Sequence, residues 1–320
     1  MTPVTFDLPL RTRFRGLTRR YGMVWHGEVG WAEFSPFEEY NTDQCRPWLM
    51  AALEAAHQPA PPPLRRHVPV NITVPAVGPE QAAAIVASSG GCQTAKVKVA
   101  EPGQSIEQDV NRLAAVRQAL GPSGNIRVDA NGAWTTEQAI DYLSRLDRAA
   151  GGLQYAEQPC AGVEELATVR RRTKVPIAAD ESIRQATDPY LVARLEAADV
   201  VVLKVQPLGG VRSCLDLAAA IGLPVVVSSA VETVVGIAQG LALAAALPKA
   251  ELACGLATGQ LLAQDLARDL FPVVNGQIEV APARVEPDLL RQSQADPATN
   301  QRWQRRLAKV TALPDQGQRP

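Results

Sequence analysis

Five short segments decide the fold: KVK at residues 96–98, VDANG at 128–132, AEQP at 156–159, ADES at 179–182 and LKV at 203–205. In each segment a charged residue stands at the end of a short apolar run or just after it. A buried parallel strand that delivers a polar side chain at its carboxyl end has this pattern. The segments therefore predict buried parallel strands that place functional side chains at their carboxyl ends.

The spacing of these charged residues predicts the architecture. Successive residues are 31, 28, 23 and 24 positions apart, from Lys98 through Asp129, Glu157 and Asp180 to Lys204. A strand of about five residues, a helix of about eleven and two short loops fill roughly this length. Each interval is therefore expected to hold one strand and one helix.

Two further strand signals continue the period, PVVVSS at 224–229 and ELACG at 251–255. Seven such signals with helical patterns between them predict a (β/α) barrel, whose strand ends converge on one mouth. Three acids and two lysines are therefore expected to share one pocket. Helices are predicted at 106–120, 136–149, 163–172, 187–197, 210–221 and 234–247.

Length and composition exclude several classes of function. The 320 residues suffice for one barrel of about 200 and a smaller accessory module. The net charge of -1 gives no sign of a polyanionic partner, so no nucleic acid is expected. The five cysteines are widely spaced and include no CxxC pair, which is typical of reduced thiols. No apolar run reaches about 18 residues and no signal segment opens the chain, so no membrane contact and a cytoplasmic location are expected.

Asp129, Glu157 and Asp180 are the candidate metal ligands. Taken singly, each fits a strand-end carboxylate that caps a loop or pairs with a lysine. Taken together, three carboxylates at one mouth repel one another strongly unless a cation lies between them. Oxygen donors of this number suit Mg²⁺, with Mn²⁺ as a substitute, and leave coordination positions for water and substrate.

Lys98 and Lys204 are the candidate catalytic residues, because they come from opposite sides of the predicted mouth. A lysine becomes a useful base when burial and neighbouring cations, such as Lys96 and a divalent ion, lower its pKa. A salt bridge from Lys98 to one of the acids is the alternative. All three histidines precede the barrel, so proton transfer is expected to rest with lysine.

Three loops are candidates for ligand contact. The segment FRGLTRR at 14–20 combines an aromatic ring, a glycine hinge and guanidinium groups, which fits a lid over an anionic ligand or a surface turn. The segment SSAVET at 228–233 places hydroxyls at a strand end, where they orient a carboxylate or satisfy loop amides. The segment PLGG at 207–210 opens a helix and fits an anion site or a tight turn. The predicted substrate contacts are Lys96, Asn131, Ser228, Ser229, Gly255, Phe14 and Arg15.

The order Lys-x-Lys, Asp, Glu, Asp, Lys resembles the enolase superfamily in its muconate-cycloisomerase-like subgroup. The resemblance covers essentially the whole chain. It implies an α/β fold, a (β/α)7β modified TIM barrel with an α+β capping domain, and Mg²⁺ that stabilises an enediolate. It divides the chain into residues 1–88, the N-terminal part of the capping domain, 89–274, the catalytic barrel, and 275–320, a segment that packs back on the capping domain and ends in a frayed tail.

Three shorter segments, 14–16, 228–233 and 255–265, resemble the actinobacterial branch of the o-succinylbenzoate synthase family. This resemblance implies a dehydration on the way to menaquinone, in which a lysine removes the proton alpha to a metal-bound carboxylate. A small-molecule carboxylate is the expected partner of a monomer or small homo-oligomer.

Three alternatives remain open. An N-acylamino-acid racemase or dipeptide epimerase of the same subgroup has the same pair of lysines. A Schiff-base aldolase would use Lys204 as its nucleophile, but it needs no metal and does not account for three convergent acids. A non-catalytic binding barrel does not account for the complete set of acids and lysines.

Overall fold

An antiparallel module at the N-terminus covers one end of the molecule. In the computed structural model, which describes residues 2–268 and 271–314, three strands pair in sequence order and a helix packs on the third strand. The first strand alternates in part between buried and accessible positions, whereas the second is buried at every position from Gly22 to Trp25, so both of its faces are covered there. The elements are β1 (Val4–Phe14), β2 (Leu17–His26), β3 (Trp31–Phe34), α1 (Thr42–His57) and the short strand β4 (His67–Pro69).

A parallel barrel follows the module. Within the described residues, seven parallel strands are hydrogen-bonded to one another in sequence order. The ring is closed by residues 254–255, because Cys254 forms a bridge with Val70 and Gly255 forms one with Ser228. The strands are β5 (Ile72–Val74), β6 (Thr94–Lys98), β7 (Asn125–Asp129), β8 (Tyr155–Glu157), β9 (Ile177–Ala179), β10 (Val200–Leu203) and β11 (Val225–Val227).

The barrel helices begin and end at local signals in the sequence. Ser105 and Thr135 each form a capping box with the glutamine three residues later, which satisfies free amides of the first turn. In the described residues no helix is both long and apolar enough to cross a bilayer. The helices are α2 (Pro79–Ala87), α3 (Ile106–Leu120), α4 (Thr136–Ala150), α5 (Val163–Arg172), α6 (Glu181–Arg184), α7 (Leu191–Arg194), α8 (Val211–Ile221) and α9 (Val234–Ala246).

The C-terminal segment returns to the N-terminal module. The strand β12 (Gln277–Glu279) pairs antiparallel with β4, and the helix α10 (Pro287–Gln292) precedes α11 (Pro297–Thr311). On α11 the buried Trp303 packs edge-to-face on Phe34 of β3, with ring centroids 6.1 Å apart. The tail predicted to fray begins at Pro314, and its residues 315–320 lie outside the described residues.

Two sequence predictions need correction. The parallel sheet starts at Ile72–Val74, because this strand pairs with β6, whereas the barrel was predicted to begin at residue 89. The strand is only three residues long and carries no charged end, so it gives no periodic signal. We therefore propose a domain boundary ahead of Val70. The helix predicted at 187–197 covers only Leu191–Arg194. Asp188 and Pro189 precede it in a turn, where the Asp188 carboxylate accepts a hydrogen bond from the Tyr190 amide at 3.0 Å.

The packing of α11 predicts the effect of truncating Trp303. We expect Trp303→Ala to lower the free energy of unfolding by about 3–5 kcal/mol, because it leaves a cavity between α11 and the module. Gln304→Ala, which changes the exposed neighbour, is the matched control and is expected to stay within about 0.5 kcal/mol of the parent. Urea denaturation followed by fluorescence measures both. Equal stability of the two variants would show that α11 does not support the module.

Candidate active site

The strand register places the predicted groups on one level of the barrel interior. Lys98 of β6 is the register partner of Asp129 on β7, which in turn pairs with Glu157 on β8. Register partners in a parallel sheet point to the same face, and here that face is the inside of the barrel. All three acids are buried, since Asp129 and Glu157 are 1% exposed and Asp180 is fully covered. The structure therefore brings together the five residues that the sequence analysis predicted to meet.

Lysine ammonium groups bridge the acids on one side of the mouth. Lys96 Nζ donates to Asp129 Oδ2 at 3.0 Å and to Glu157 Oε1 at 2.9 Å. Lys98 Nζ donates to Asp129 Oδ2 and to Asn131 Oδ1, both at 2.6 Å. Since Lys96 and Lys98 are two positions apart on one strand, they share a face and reach the same carboxylate.

The opposite side of the mouth is built around Asp180, which follows β9. Its Oδ2 accepts from Lys204 Nζ at 2.5 Å, and its Oδ1 accepts from Arg184 Nε at 2.9 Å. Lys204 follows β10 and Lys98 ends β6, four strands apart in a ring of eight. The two candidate catalytic lysines therefore stand on opposite sides of one cavity.

The cluster shifts the pKa values of its members in opposite directions. Burial and the charges of Asp129 and Asp180 raise the pKa of Glu157 to about 7. Burial also acts to raise the pKa of Asp129, but Lys96 and Lys98 outweigh it and hold that pKa well below its usual range. Burial lowers the pKa of Lys98, and the charge of Lys96 adds to this effect. The pKa of Lys98 therefore lies below that of an ordinary lysine, in the direction that a base requires. The salt bridge to an acid that the sequence left as the alternative is also present, to Asp129.

The three acids fit a hard divalent cation by their chemistry. They supply buried carboxylate oxygens from successive strands, and the pKa of Glu157 is raised first by burial and then by the charges of Asp129 and Asp180, both of which a bound cation would offset. Among the described residues, however, no three acidic, histidine or cysteine side chains are close enough together to ligate one ion as they stand. Lys96 already lies between two of the acids, so repulsion alone no longer requires a metal. The case for a divalent cation therefore rests on the chemistry of the three carboxylates as oxygen donors.

A small cavity lies above the cluster. Its volume is about 30 Å³, which is room for about one water molecule. Six of the seven predicted substrate contacts line it, and Gly255 does not. Gly255 instead packs on Ser228, where a Cβ would come within 2.5 Å of the Ser228 hydroxyl. Substrate contact by the lining residues remains a prediction. Further lining residues include Phe37, Thr73, Val231 and Thr258.

The predicted lid is the tip of a tight hairpin. Arg15 and Gly16 both have positive φ, +52° and +76°, and form the two-residue turn between β1 and β2. The Phe14 ring lies 5.3 Å from Lys98 Nζ, and the Arg15 guanidinium lies over the Phe37 ring. Arg20 is buried within β2, so the movable part is shorter than the predicted segment 14–20. Because the cavity is too small for a ring-bearing carboxylate, we expect this tip to move when a ligand enters.

Sequence reasoning missed two contributors to the site. Arg184 is four residues after Asp180, and this helical i, i+4 spacing of opposite charges is a signal that could have revealed the pair. Thr73 lies on the unpredicted strand β5, so finding it required finding that strand first.

The comparisons with known proteins agree with this geometry. Residues 79–285 match the family described as enolase C-terminal domain-like, and residues 5–56 match the enolase N-terminal domain-like family. Two solved structures share the fold at low identity. One is a muconate lactonizing enzyme from Pseudomonas fluorescens, with a TM-score of 0.78 and 18% identity; the match covers 92% of this chain and 98% of that one. The other is the L-Ala-D/L-Glu epimerase from Bacillus subtilis, with a TM-score of 0.74 and 21% identity; the match covers 89% of this chain and 96% of that one.

Sequence relatives are far more similar to this chain. The o-succinylbenzoate synthase of Thermobifida fusca is 58% identical over 319 residues, which cover 100% of this chain and 99% of the relative. The o-succinylbenzoate synthase of Mycolicibacterium smegmatis is 53% identical over 232 residues, 72% of this chain and 71% of the relative. By the match of its two domains and by full-length identity, the chain belongs to the o-succinylbenzoate synthase family of the enolase-like proteins.

Proposed function

We propose that this chain is an o-succinylbenzoate synthase, a hydro-lyase that dehydrates 2-succinyl-6-hydroxy-2,4-cyclohexadiene-1-carboxylate to 2-succinylbenzoate in menaquinone biosynthesis. The observation that carries the class of chemistry, proton transfer next to a carboxylate, is the pair of lysines on opposite sides of one cavity that Asp129 also lines. Full-length identity of 58% to the synthase of Thermobifida fusca supports the choice of substrate.

Lys98 is the acid and base of the reaction. Its neutral amine takes the proton from the ring carbon alpha to the substrate carboxylate, and the electron pair of that C–H bond moves toward the carboxylate. The pair then forms the new ring double bond as the C–O bond to the β-hydroxyl breaks. The Lys98 ammonium returns the proton to the departing hydroxide, so one water leaves and the ring becomes aromatic.

Lys204 is the electrostatic partner on the other face. It forms an ion pair with Asp180 and lines the cavity. From this position its ammonium stabilises the negative charge that develops on the substrate and lies against the ring face. A single group that acts first as the base and then as the acid is sufficient when the proton and the hydroxide leave from the same face of the substrate ring.

Asp129, Glu157 and Asp180 are the residues that would hold Mg²⁺ or, in its place, Mn²⁺. Bound there, the ion supplies a Lewis acid that stabilises negative charge on the substrate carboxylate. The chain's own contribution is to keep these oxygens buried and oriented. Lys96 adds a fixed positive charge beside Lys98, which favours the neutral amine of that base.

A racemase or epimerase is the second candidate, and one observation favours it. Racemisation needs a proton donor and a proton acceptor on opposite faces of the same carbon, and Lys98 and Lys204 stand on opposite sides of the cavity. The two candidates differ in what they require of Lys204, which must exchange a proton in racemisation but only carry charge in dehydration.

The roles of the lysines predict an asymmetry between their variants. We expect Lys98→Ala and Lys204→Ala each to lower kcat for dehydration by about 100-fold or more. Lys204→Arg keeps the charge and is a poor base, so it should retain more activity than Lys98→Arg. Appearance of aromatic absorbance after mixing with the cyclohexadiene substrate measures each rate. Normal dehydration by Lys98→Ala together with loss in Lys204→Ala would reverse the assignment.

The metal proposal predicts a dependence on divalent ions. Chelation should abolish dehydration, and Mg²⁺ should restore it, because the developing charge on the carboxylate then has a counter-ion. Calorimetric titration with Mg²⁺ gives a readout that does not depend on turnover. Asp180→Asn should weaken binding by about tenfold or more, whereas Asp141→Asn, which changes an exposed acid on α4, should leave it unchanged. Full activity in a protein shown to be free of metal would exclude the mechanism.

A further inference from the structure

One wall of the cavity has a strained backbone. Val231, in the loop after β11, lines the cavity with a φ of +61°. A β-branched residue rarely adopts this conformation, which costs about 1–3 kcal/mol and persists only where surrounding contacts hold it. The Val231 side chain is buried, and its loop also carries Ser228 and Ser229. Within the loop, the Ala230 amide donates to Glu232 Oε2 at 2.5 Å and the Val231 amide donates to the Ser229 hydroxyl at 3.4 Å, and contacts from outside the loop add to these.

The N-terminal module supplies those contacts. Arg20 of β2 donates from Nε to the carbonyl of Val231 at 3.1 Å and from Nη2 to the hydroxyl of Ser35 at 3.2 Å. That hydroxyl donates in turn to Glu33 Oε1 at 2.6 Å. Arg20 is 2% exposed, and Glu33 and Ser35 are fully covered. The network joins two of the module's three strands, β2 and β3, to the backbone of the strained residue.

Glu33 continues the network into the start of α9. Its Oε2 accepts from the Thr233 hydroxyl at 2.7 Å, from the Gly236 amide at 3.0 Å and from the Thr233 amide at 3.2 Å. The first amides of a helix have no partner within the helix, and an anion there is favoured by the helix dipole. Glu33 therefore fixes the end of the loop from the module, two residues after Val231.

We infer that Glu33 and Arg20 are positioning residues that hold the cavity wall at residues 228–233 in its strained conformation. They touch neither the reacting atoms nor the cavity, and they act through Val231 and Thr233. The module then does more than cover the barrel, because it sets the surface that the substrate meets. The inference rests on the proposed dehydration for its kinetic test.

A second carboxylate provides a matched control. Glu54 of α1 accepts from the amides of Val211 and Arg212 at 3.2 and 3.3 Å, at the start of α8. It is the same kind of contact, from the same module to a neighbouring barrel helix, but α8 does not line the cavity. A role confined to stability would let the variants of Glu33 and Glu54 differ in thermal midpoint but would leave kcat/KM unchanged in both.

The first experiment compares Glu33→Gln with Glu54→Gln. We expect similar falls in thermal midpoint, but a fall of about tenfold in kcat/KM only in Glu33→Gln, because misplacement of a site wall impairs the oriented complex. Hydrogen exchange of the amides at 228–236 should rise in Glu33→Gln and not in Glu54→Gln. Equal kcat/KM and equal exchange in the two variants would overturn the inference. If the two variants differed in hydrogen exchange as expected but the parent protein did not turn over the substrate, the proposed function alone would be refuted.

The second experiment uses the strained residue itself and does not disturb the buried charges. Val231→Ala and Val231→Gly remove nearly the same side chain, but glycine adopts a positive φ without strain. We expect Val231→Gly to have the higher thermal midpoint and a kcat/KM close to that of Val231→Ala, because Glu33 and Arg20 still hold the wall in both variants. A glycine variant with a clearly lower kcat/KM than the alanine variant would contradict the inference, because the external contacts would then not be sufficient to fix the wall. Arg20→Lys, which keeps the charge but loses the Nε contact, should lower kcat/KM as Glu33→Gln does.

Discussion

Charge compensation inside the barrel mouth is the constraint on which the rest of the structure depends. Asp129, Glu157 and Asp180 are almost wholly buried, and a buried carboxylate without a cationic partner is strongly destabilising. Lys96 and Lys98, two positions apart on one strand, meet this need for Asp129 and Glu157, and Lys204 and Arg184 meet it for Asp180. A slip of one residue in the register would turn all these side chains to the outside. The parallel ladder is thus a condition of the chemistry as well as of stability.

The second constraint is the docking of the module on the barrel. The carboxylates of Glu33 and Glu54 accept hydrogen bonds from amides at the starts of α9 and α8, respectively. Without them these amides would have no partner within the helix. These contacts lie at the carboxyl ends of the strands, the face on which barrel enzymes place their active sites. The interface between the module and the barrel therefore both covers the site and shapes its wall. Movement when a ligand enters is expected at the hairpin tip.

The sequence predicted those parts of the molecule that obey a local or periodic rule. The helix at 106–120 was placed correctly because apolar periodicity and capping residues mark it, and the charged strand ends were found by their spacing. The strand Ile72–Val74 was missed because three residues carry no period. The amides after residues 207–210 were recognised as a possible anion site, but their partner is Glu54, about 150 positions earlier in the chain. The strain at Val231 was invisible for the same reason, since it is set by tertiary contacts and not by neighbours in sequence.

Dehydration is tested most directly by following the reaction of the purified, Mg²⁺-loaded protein with the cyclohexadiene carboxylate by absorbance and mass spectrometry together. We expect repeated turnover, with growth of aromatic absorbance and a product lighter than the substrate by one water. A product of unchanged mass with inverted configuration, or an unchanged substrate in the presence of protein shown to be folded and metal-bound, would contradict the claim that this barrel mouth is a dehydration site.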